Sequence, residues 1–331
     1  MSFAYITEKG TTVSKREGCF VVSRNKETLF EIPKETLENL VLIGSIQITS
    51  PAICELLGSG IPMTWISATG RFLGRLESPG HVRIFKQKKQ FLLQDQPFSL
   101  EMGRRIILAK IHNQLTLLRH YNYQRKIPTV TIDIHNMMTM AKQVKAAENK
   151  EEVMGYEGMA AKIYFSALGE IIDPRFSFQR RSKRPPLDPF NSMISLAYTL
   201  IGYEIFTAVV LEGLHPYVGC LHELKEGHPA LVSDLLEEWR PVLADSFVLS
   251  LIQHHEIKPE HFYHDEETDG IFLTPQGRKI FLGAYEKKLR STNQYFEGKH
   301  SYRRTLSYQT AQYSQALLAE DPAIYEPIWT R

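Results

Sequence analysis

The chain has 331 residues, of which 43% are hydrophobic and 23% charged, and its formal net charge is +2. This composition is typical of a soluble globular protein, and the length favours two domains. The small net charge excludes nucleic-acid binding through the charge of the whole protein, so any such surface must be a local cluster of basic residues.

The cysteines and the apolar segments indicate a cytoplasmic protein. Cys19, Cys54 and Cys220 are far apart in the sequence and form no CxxC pair, so we expect neither a disulfide framework nor a cysteine metal site. The N-terminal segment MSFAYITEKG lacks the apolar core of a signal peptide. The longest apolar stretch, 194–211, contains Glu204, and we expect it to be a buried helix rather than a membrane span.

Residues 1–82 are predicted to form a small domain of strands. β-Branched and aromatic residues dominate the segments CFVVSR, TLFEIP, LVLIGSIQIT and PMTWIS, and residues 25–27 predict a turn between the first two. One short helix is predicted among them, with Ser50 as its cap, Pro51 in its first turn and Gly58 at its end. The pattern indicates no chemistry in this domain.

The apolar period changes from that of strands to that of helices near Arg83. We predict a connector at 83–95, which begins with the basic segment RIFKQKK, and a larger helical domain at 96–331. In 99–120 the apolar residues follow a helical stripe. The opposite face of this helix carries basic residues that we expect to be solvated: Arg104, Arg105, Lys110 and Arg119.

Glu157 lies in the segment GYEGMAAKIYF, which is predicted to be helical and is rich in small residues. Gly155, Gly158, Ala160 and Ala161 surround the carboxylate. Small side chains let a second helix approach closely, so we expect Glu157 at a seam between helices, although the same residues could serve packing alone.

The stretch 175–184 is strongly basic and contains no acidic residue. Prolines follow directly, so no helix can run through this region. We expect a flexible arm that contacts DNA phosphates, with a solvated loop as the alternative. The basic residues of the arm are Arg175, Arg180, Arg181, Lys183 and Arg184. Asp188 and Asn191 then begin the long apolar helix.

The stretch from Glu212 to Pro241 contains His222, a short polar loop and a helical run with Asp234, Glu237 and Glu238. Steps of three and four residues place these carboxylates on one helix face, where they repel each other unless a cation offsets their charge. Oxygen ligands with one imidazole suit Mg²⁺ or Mn²⁺. The spacing by itself is more typical of a solvated helix face.

The C-terminal part predicts a hairpin turn at Asp269–Gly270 and a helix capped by Thr274. Arg303 and Arg304 lie near the start of the last helix, where positive charge opposes the helix dipole and favours an anionic partner. The final segment, AIYEPIWTR, is aromatic-rich, and we expect it to dock on the protein or on a partner.

The order of motifs between Met154 and Pro241 resembles that of the CRISPR-associated spacer integrases. The motifs are GxEGxAAxxYF, the basic arm, DPFN, GLxPYxGxLH and DLLEEWRP. The resemblance implies an α+β protein with an N-terminal β-sandwich, which helps form a dimer, and an all-helical catalytic domain. It also implies that Glu157, His222 and Glu237 are catalytic and bind Mg²⁺ or Mn²⁺. Asp234, one turn before Glu237, is expected to orient His222 or to accept a hydrogen bond from water beside the metal.

Some positions depart from that family pattern. His215 stands where many members carry Asp, and Cys220 where an aromatic residue is frequent. We interpret His215 and His228 as structural or DNA-contacting residues. The sequence has no convincing Ser–His or Cys–His nucleophile.

The resemblance implies a transesterification that inserts captured DNA into a CRISPR array. A 3′-hydroxyl of the incoming DNA attacks a phosphodiester of the repeat, and the old 3′-oxygen leaves. The expected partners are double-stranded DNA with 3′ ends, CRISPR repeat DNA, a second copy of the chain and a small ferredoxin-like Cas protein; no membrane partner is expected. A DNA-repair nuclease that hydrolyses branched or single-stranded DNA at the same metal site is the alternative, and a non-catalytic nucleic-acid scaffold is a third.

Overall fold

The computed structural model describes residues 2–78, 80, 82–295 and 298–330, and the chain divides into two units, Met1–Val82 and Arg83–Arg331. Met1 and Arg331, at which the predicted domains begin and end, lie outside the described residues. Strands dominate the first unit and helices the second. The predicted α+β fold, with N-terminal sheets followed by a larger helical part, is confirmed.

The described residues of the first unit form two sheets. Its elements are β1 (Ser2–Ile6), β2 (Thr12–Arg16), β3 (Cys19–Arg24), β4 (Glu27–Pro33), β5 (Leu37–Ile43), β6 (Gln47–Ile48), α1 (Ser50–Gly58), β7 (Met63–Ile66) and β8 (Phe72–Leu76). Among the described residues, the strands pair in the orders β1–β5–β7–β8 and β4–β3–β2–β6. Parallel pairing joins β1 to β5, β5 to β7 and β2 to β6, and the other pairs are antiparallel.

Local sequence accounts for the connections of this unit. Asn25 and Lys26 both have positive φ, 50° and 69°, as a type I′ hairpin turn requires. The helix cap lies one residue before the predicted Ser50, at Thr49. Apolar side chains of both sheets and of α1 share one core, so the unit is a β-sandwich, as expected.

The second unit begins with a helix inside the stretch predicted to be a connector. Its helices are α2 (Ile84–Leu93), α3 (Pro97–Arg125), α4 (Pro128–Ala146), α5 (Lys150–Ile171), α6 (Pro189–Leu211), α7 (Ala230–Trp239), α8 (Ser246–Gln253), α9 (Pro275–Arg290) and α10 (Tyr302–Ala319). A π-helical turn, Arg240–Asp245, joins α7 to α8. Turns of this kind are frequent at functional sites.

The second domain is helical as expected, although it is not all-helical. Among the residues of this unit that the structure describes, two short antiparallel hairpins interrupt the helices: β9 (Phe262–Asp265) with β10 (Gly270–Leu273), and β11 (Thr292–Tyr295) with β12 (Gly298–Ser301). The first hairpin contains the predicted turn, and Thr274 caps the following helix by accepting a hydrogen bond from the Gly277 N–H at 3.1 Å.

Helix α6 runs through the core of the second unit. Asp188 caps it by accepting a hydrogen bond from the Asn191 N–H at 2.7 Å. By length and composition α6 could cross a membrane, but 56% of its most apolar window is buried, and it packs against α7 and α10. Its buried Glu204 binds Arg303. The anionic partner expected for Arg303 is therefore supplied within the chain.

Candidate active site

Helices α3, α5, α6 and α7 and the loops that follow α5 and α6 line one pocket of about 600 Å³. The three predicted ligands, Glu157, His222 and Glu237, all line it, and so do Arg180, Arg181 and Lys183 of the basic stretch. The lining also includes side chains that the sequence interpretation did not assign to the site: Lys110, Gln114, Tyr198 and Arg240.

Glu157 reaches the pocket from α5, which packs against α3. Gly155 and Gly158 do not mark a close helix contact, because a Cβ added at either position would meet nothing within 4 Å. The expectation that these small residues let a second helix approach closely was therefore wrong for Gly155 and Gly158. Instead, Gly158 lines the pocket beside the carboxylate, where its missing side chain leaves open space.

Asp234 organises the loop that carries His222. Its fully buried carboxylate accepts hydrogen bonds from the backbone N–H groups of Cys220 at 2.6 Å, Leu221 at 3.1 Å and His222 at 3.0 Å. The same carboxylate lies 2.6 Å from His222 Nδ1. Because a carboxylate only accepts, Nδ1 carries the proton, and Nε2 of the neutral ring keeps its lone pair.

This arrangement depends on Gly219. A Cβ at this position would lie 2.9 Å from the backbone carbonyl carbon of Ala230 and would also clash with the Asp234 carboxylate.

Burial lowers the pKa of the His222 imidazole, but the hydrogen bond and charge of Asp234 outweigh burial and leave that pKa above its ordinary value.

Lys110 of α3 lies between the two predicted carboxylate ligands. Its ammonium forms ion pairs with Glu157 Oε1 and Glu237 Oε2, and its side chain is 7% exposed. Arg240 Nε lies 3.1 Å from the other oxygen of Glu237. Burial alone would raise the pKa of Glu237, but Arg240 and Lys110 hold it well below its ordinary value, so both cations face an ionised carboxylate.

A buried network behind the pocket fixes Arg240. Its guanidinium lies 4.5 Å from the ring centroid of Tyr198. The Tyr198 hydroxyl donates to Asp245 at 2.6 Å, and the Tyr164 hydroxyl donates to the same carboxylate at 2.8 Å. Burial raises the pKa of Asp245 to about 6, against the opposing effect of these hydroxyls. The π-helical turn thus places Asp245 where it holds the Tyr198 hydroxyl, and the Tyr198 ring in turn lies against Arg240.

The donor set of the pocket fits a divalent cation, although the ligands are not assembled around one. Two carboxylates and an imidazole nitrogen are suitable ligands for Mg²⁺ or Mn²⁺. Among the described residues, however, no group of three His, Cys, Asp or Glu side chains is gathered closely enough to hold a metal ion. Lys110 supplies the positive charge between the carboxylates.

The basic stretch 175–184 is held against the helices more firmly than the flexible arm that the sequence predicts. Phe176 and Phe178 are buried and anchor it to the core. Arg181 donates to Asn191 Oδ1 at 2.7 Å and to Ser195 Oγ at 3.0 Å, so its guanidinium serves the fold. Arg175 binds Asp173 at 2.6 Å and lies outside the pocket lining.

The remaining basic side chains of the stretch are exposed. Arg180 and Lys183 line the pocket, whereas Arg184 lies outside its lining. The pKa of Lys183 is lowered by partial desolvation and by the neighbouring charges of Arg240 and Arg181. An anion at the pocket mouth would therefore meet Arg180 and Lys183 first.

The carboxylates of α7 do not share one face, which corrects the sequence interpretation. Glu237 faces the pocket, but Glu238 accepts hydrogen bonds from the Tyr325 hydroxyl at 2.6 Å and the Ile328 N–H at 2.7 Å. Glu238 therefore binds the C-terminal segment, which docks on the second unit as the sequence allowed. Burial raises the pKa of Glu238 to about 8.

The contacts of His215, His228 and Cys220 indicate structural roles rather than catalytic ones. The backbone of His215 exchanges hydrogen bonds with the Gln90 amide at 2.8 and 2.9 Å, and the His228 ring packs 5.5 Å from that of His222. Cys220 is 1% exposed. Burial and the neighbouring Asp234 raise the pKa of its thiol well above the ordinary value, which disfavours a nucleophilic thiolate.

Comparison with known proteins identifies one family. Residues 4–287 match the family described as CRISPR associated protein Cas1. The chain is 34% identical over 333 residues to the CRISPR-associated endonuclease Cas1 3 of Thermus thermophilus, with 99% of this chain and 97% of that relative covered.

Solved structures give the same fold. A chain of a Cas6-RT-Cas1–Cas2 complex matches 99% of this chain with 25% identity and a TM-score of 0.86, and the match spans 36% of that longer chain. A Cas1 protein from Thermotoga maritima matches with 22% identity and a TM-score of 0.82, over 96% of this chain and 97% of that protein.

Proposed function

The chain belongs to the CRISPR-associated Cas1 family, and we propose that it inserts captured DNA into a CRISPR array by divalent-metal-dependent transesterification. The observation that carries the proposal is the gathering of Glu157, His222 and Glu237 in one pocket whose lining includes the exposed cations Arg180 and Lys183. Acidic and imidazole ligands beside phosphate-binding cations are what a phosphoryl-transfer site requires.

The carboxylates of Glu157 and Glu237 and Nε2 of His222 would hold Mg²⁺ or Mn²⁺. When bound, such an ion supplies Lewis-acid stabilisation of charge on phosphate oxygens. Asp234 supports this role by keeping the proton on His222 Nδ1, so that Nε2 is free to act as a ligand.

The chain's own cations have separate tasks. Arg180 and Lys183 would attract the DNA backbone and orient the scissile phosphate in the pocket. Arg240, held against Tyr198, fixes the position of Glu237. The 3′-hydroxyl of the incoming strand forms the new P–O bond and the old 3′-oxygen leaves, so the reaction requires no protein nucleophile, which agrees with the buried thiol of Cys220.

We propose that the active form is a homodimer joined through the first unit. Leu29 and Phe30 on edge strand β4, and Phe72 and Leu73 on edge strand β8, are each about 40–50% exposed. Edge strands with exposed apolar side chains are favourable surfaces for pairing with a second copy. The similarity to a Cas1–Cas2 assembly supports a small Cas partner, which we propose is ferredoxin-like. The free cysteines support a cytoplasmic location.

A strand-transfer assay tests the proposal. A supercoiled plasmid with a CRISPR repeat and a short DNA duplex should be joined in the presence of Mg²⁺ or Mn²⁺, and chelation should abolish joining. A duplex with 3′-dideoxy ends is the matched control, because it lacks the attacking hydroxyl but leaves hydrolysis possible.

Cleavage of branched or single-stranded DNA without joining would favour the DNA-repair nuclease, an alternative supported by the description of the relative as an endonuclease. DNA binding that is indifferent to chelation, with neither joining nor cleavage, would favour a scaffold.

A further inference from the structure

Lys110 neutralises the proposed metal ligands from within the chain. Its ammonium pairs with Glu157 and Glu237, and Arg240 pairs with the second oxygen of Glu237. Two carboxylates are thus balanced by two cations before any metal ion arrives. A divalent ion added to this set would be repelled at short range by an ammonium with little access to water. Metal binding therefore requires Lys110 to leave its position.

The structure also contains an acceptor to which Lys110 could move. Gln114 lies one turn further along α3, at the i,i+4 spacing that brings side chains of one helix face together. It is 2% exposed and lines the pocket. Its carbonyl oxygen, Oε1, is buried and has no hydrogen-bond partner within the chain. A buried acceptor left unpaired is unfavourable, so a donor is expected there in another state of the site.

We infer that Lys110 is an exchangeable internal cation, which bridges Glu157 and Glu237 in the metal-free protein and transfers its ammonium to Gln114 Oε1 when a divalent cation binds. The flexible four-carbon stem of lysine permits such a movement within the pocket. In this scheme Lys110 competes with the metal ion, and Gln114 favours metal binding by offering Lys110 a second partner. The inference rests on the proposed metal-dependent function.

Calorimetric titration with Mn²⁺ at one fixed pH, in the absence of DNA, tests the exchange. Lys110→Met should bind Mn²⁺ at least about tenfold more tightly than the wild type, because the competing charge is gone (tenfold corresponds to about 1.4 kcal/mol). Gln114→Leu should bind Mn²⁺ more weakly than the wild type. In a Lys110→Met background, however, Gln114→Leu should have no further effect, because the lysine that it serves is absent.

Two additional variants guard against misreading these results. Lys162→Met removes an equal charge from the lining of the same pocket and should change the Mn²⁺ affinity little. Lys110→Arg retains the cation that balances the buried carboxylates, and its forked guanidinium can bridge both. It should therefore fold and bind Mn²⁺ more weakly than the wild type.

Thermal unfolding supplies a readout independent of catalysis. Lys110→Met should have a lower midpoint than the wild type in chelator, because Glu157 and Glu237 then repel each other, and a larger increase in midpoint on addition of Mn²⁺. If Lys110→Met binds Mn²⁺ no more tightly than the wild type, or if Gln114→Leu weakens binding equally in both backgrounds, the exchange is wrong.

The glutamate variant separates this failure from failure of the proposed function. If Glu157→Ala binds Mn²⁺ as the wild type does, the metal site itself is wrong. If Glu157→Ala loses Mn²⁺ binding while Lys110→Met gains none, only the exchange is wrong.

Discussion

Replacing Asp234 by Asn tests how the candidate site is held together. The two oxygens of this carboxylate receive four hydrogen bonds, three from backbone N–H groups and one from the His222 ring. An amide of the same shape has one acceptor oxygen, and its NH₂ group would face two of these donors. Two hydrogen bonds to a charged acceptor are therefore lost in a site from which water is excluded.

The expected cost follows from those contacts. A hydrogen bond to a charged group contributes about 1.5–3 kcal/mol to stability, so Asp234→Asn should lower the free energy of unfolding by roughly 3–6 kcal/mol. The variant also loses the charged acceptor that keeps the proton on His222 Nδ1. Because partners of metal-binding histidines typically contribute about 10–100-fold, strand transfer should fall by about that factor but remain measurable.

Urea unfolding followed by circular dichroism measures the first effect, and the strand-transfer assay, performed where the variant is folded, measures the second. Asp95→Asn is the matched control, because the Asp95 side chain is 90% exposed and its replacement should change neither quantity appreciably. A loss of less than about 1 kcal/mol, with unchanged strand transfer, would refute the reasoning, since a single ordinary hydrogen bond contributes that much.

Three further predictions concern DNA binding, the C-terminal segment and assembly. Replacing Arg180, Lys183 and Arg184 together by Ala should flatten the log–log salt dependence of duplex binding by about 2–3, from about 0.9 per phosphate contact; an unchanged slope would assign these residues to ordinary surface. Burial raises the pKa of Glu238 to about 8, so between about pH 4.5 and 8 the native state keeps a proton that the unfolded chain has released. The stability that this proton gives decreases as pH rises through this window and is lost above about pH 8. Relative to Glu238→Gln, the wild type should therefore lose up to roughly 1.4 kcal/mol of unfolding free energy per pH unit in this window, whereas parallel curves in urea titrations would contradict the assignment. Light scattering should show a dimer at micromolar concentration, and a stable monomer would contradict the proposed assembly.

The sequence predicted the local features of the fold because they depend on near neighbours. The turn at Asn25 and Lys26, the cap at Thr274 and the cap at Asp188 each follow from residues within a few positions. The order of the motifs also predicted Glu157 and His222 as residues of one site, and both line the same pocket in the structure. These predictions required no knowledge of how the helices pack.

Lys110 shows what the sequence could not reveal. On an amphipathic helix, a lysine opposite the apolar stripe is normally solvated, and nothing near it in the sequence indicates otherwise. Its burial depends on Glu157 and Glu237, which other helices supply. The ion pair of Arg240 with Glu237 could have been predicted from the sequence, because Arg240 lies three residues after Glu237 and residues at this spacing can pair on a helix. Its contact with Tyr198 depends on the packing of α6 against the π-helical turn.

The carboxylates of α7 explain why counting acidic residues on a helical wheel is not enough to assign a site. Successive residues of a helix differ by about 100° in direction, so Glu237 and Glu238 must diverge, and each binds what packs on its own side. Asp234 holds the loop that bears His222, Glu238 holds the segment with Tyr325, and Glu237 between them faces the pocket. A helix that is held at Asp234 and at Glu238 by hydrogen bonds to two separate segments has little freedom to rotate. Glu237 is therefore positioned before substrate arrives, as the proposed phosphoryl transfer would require.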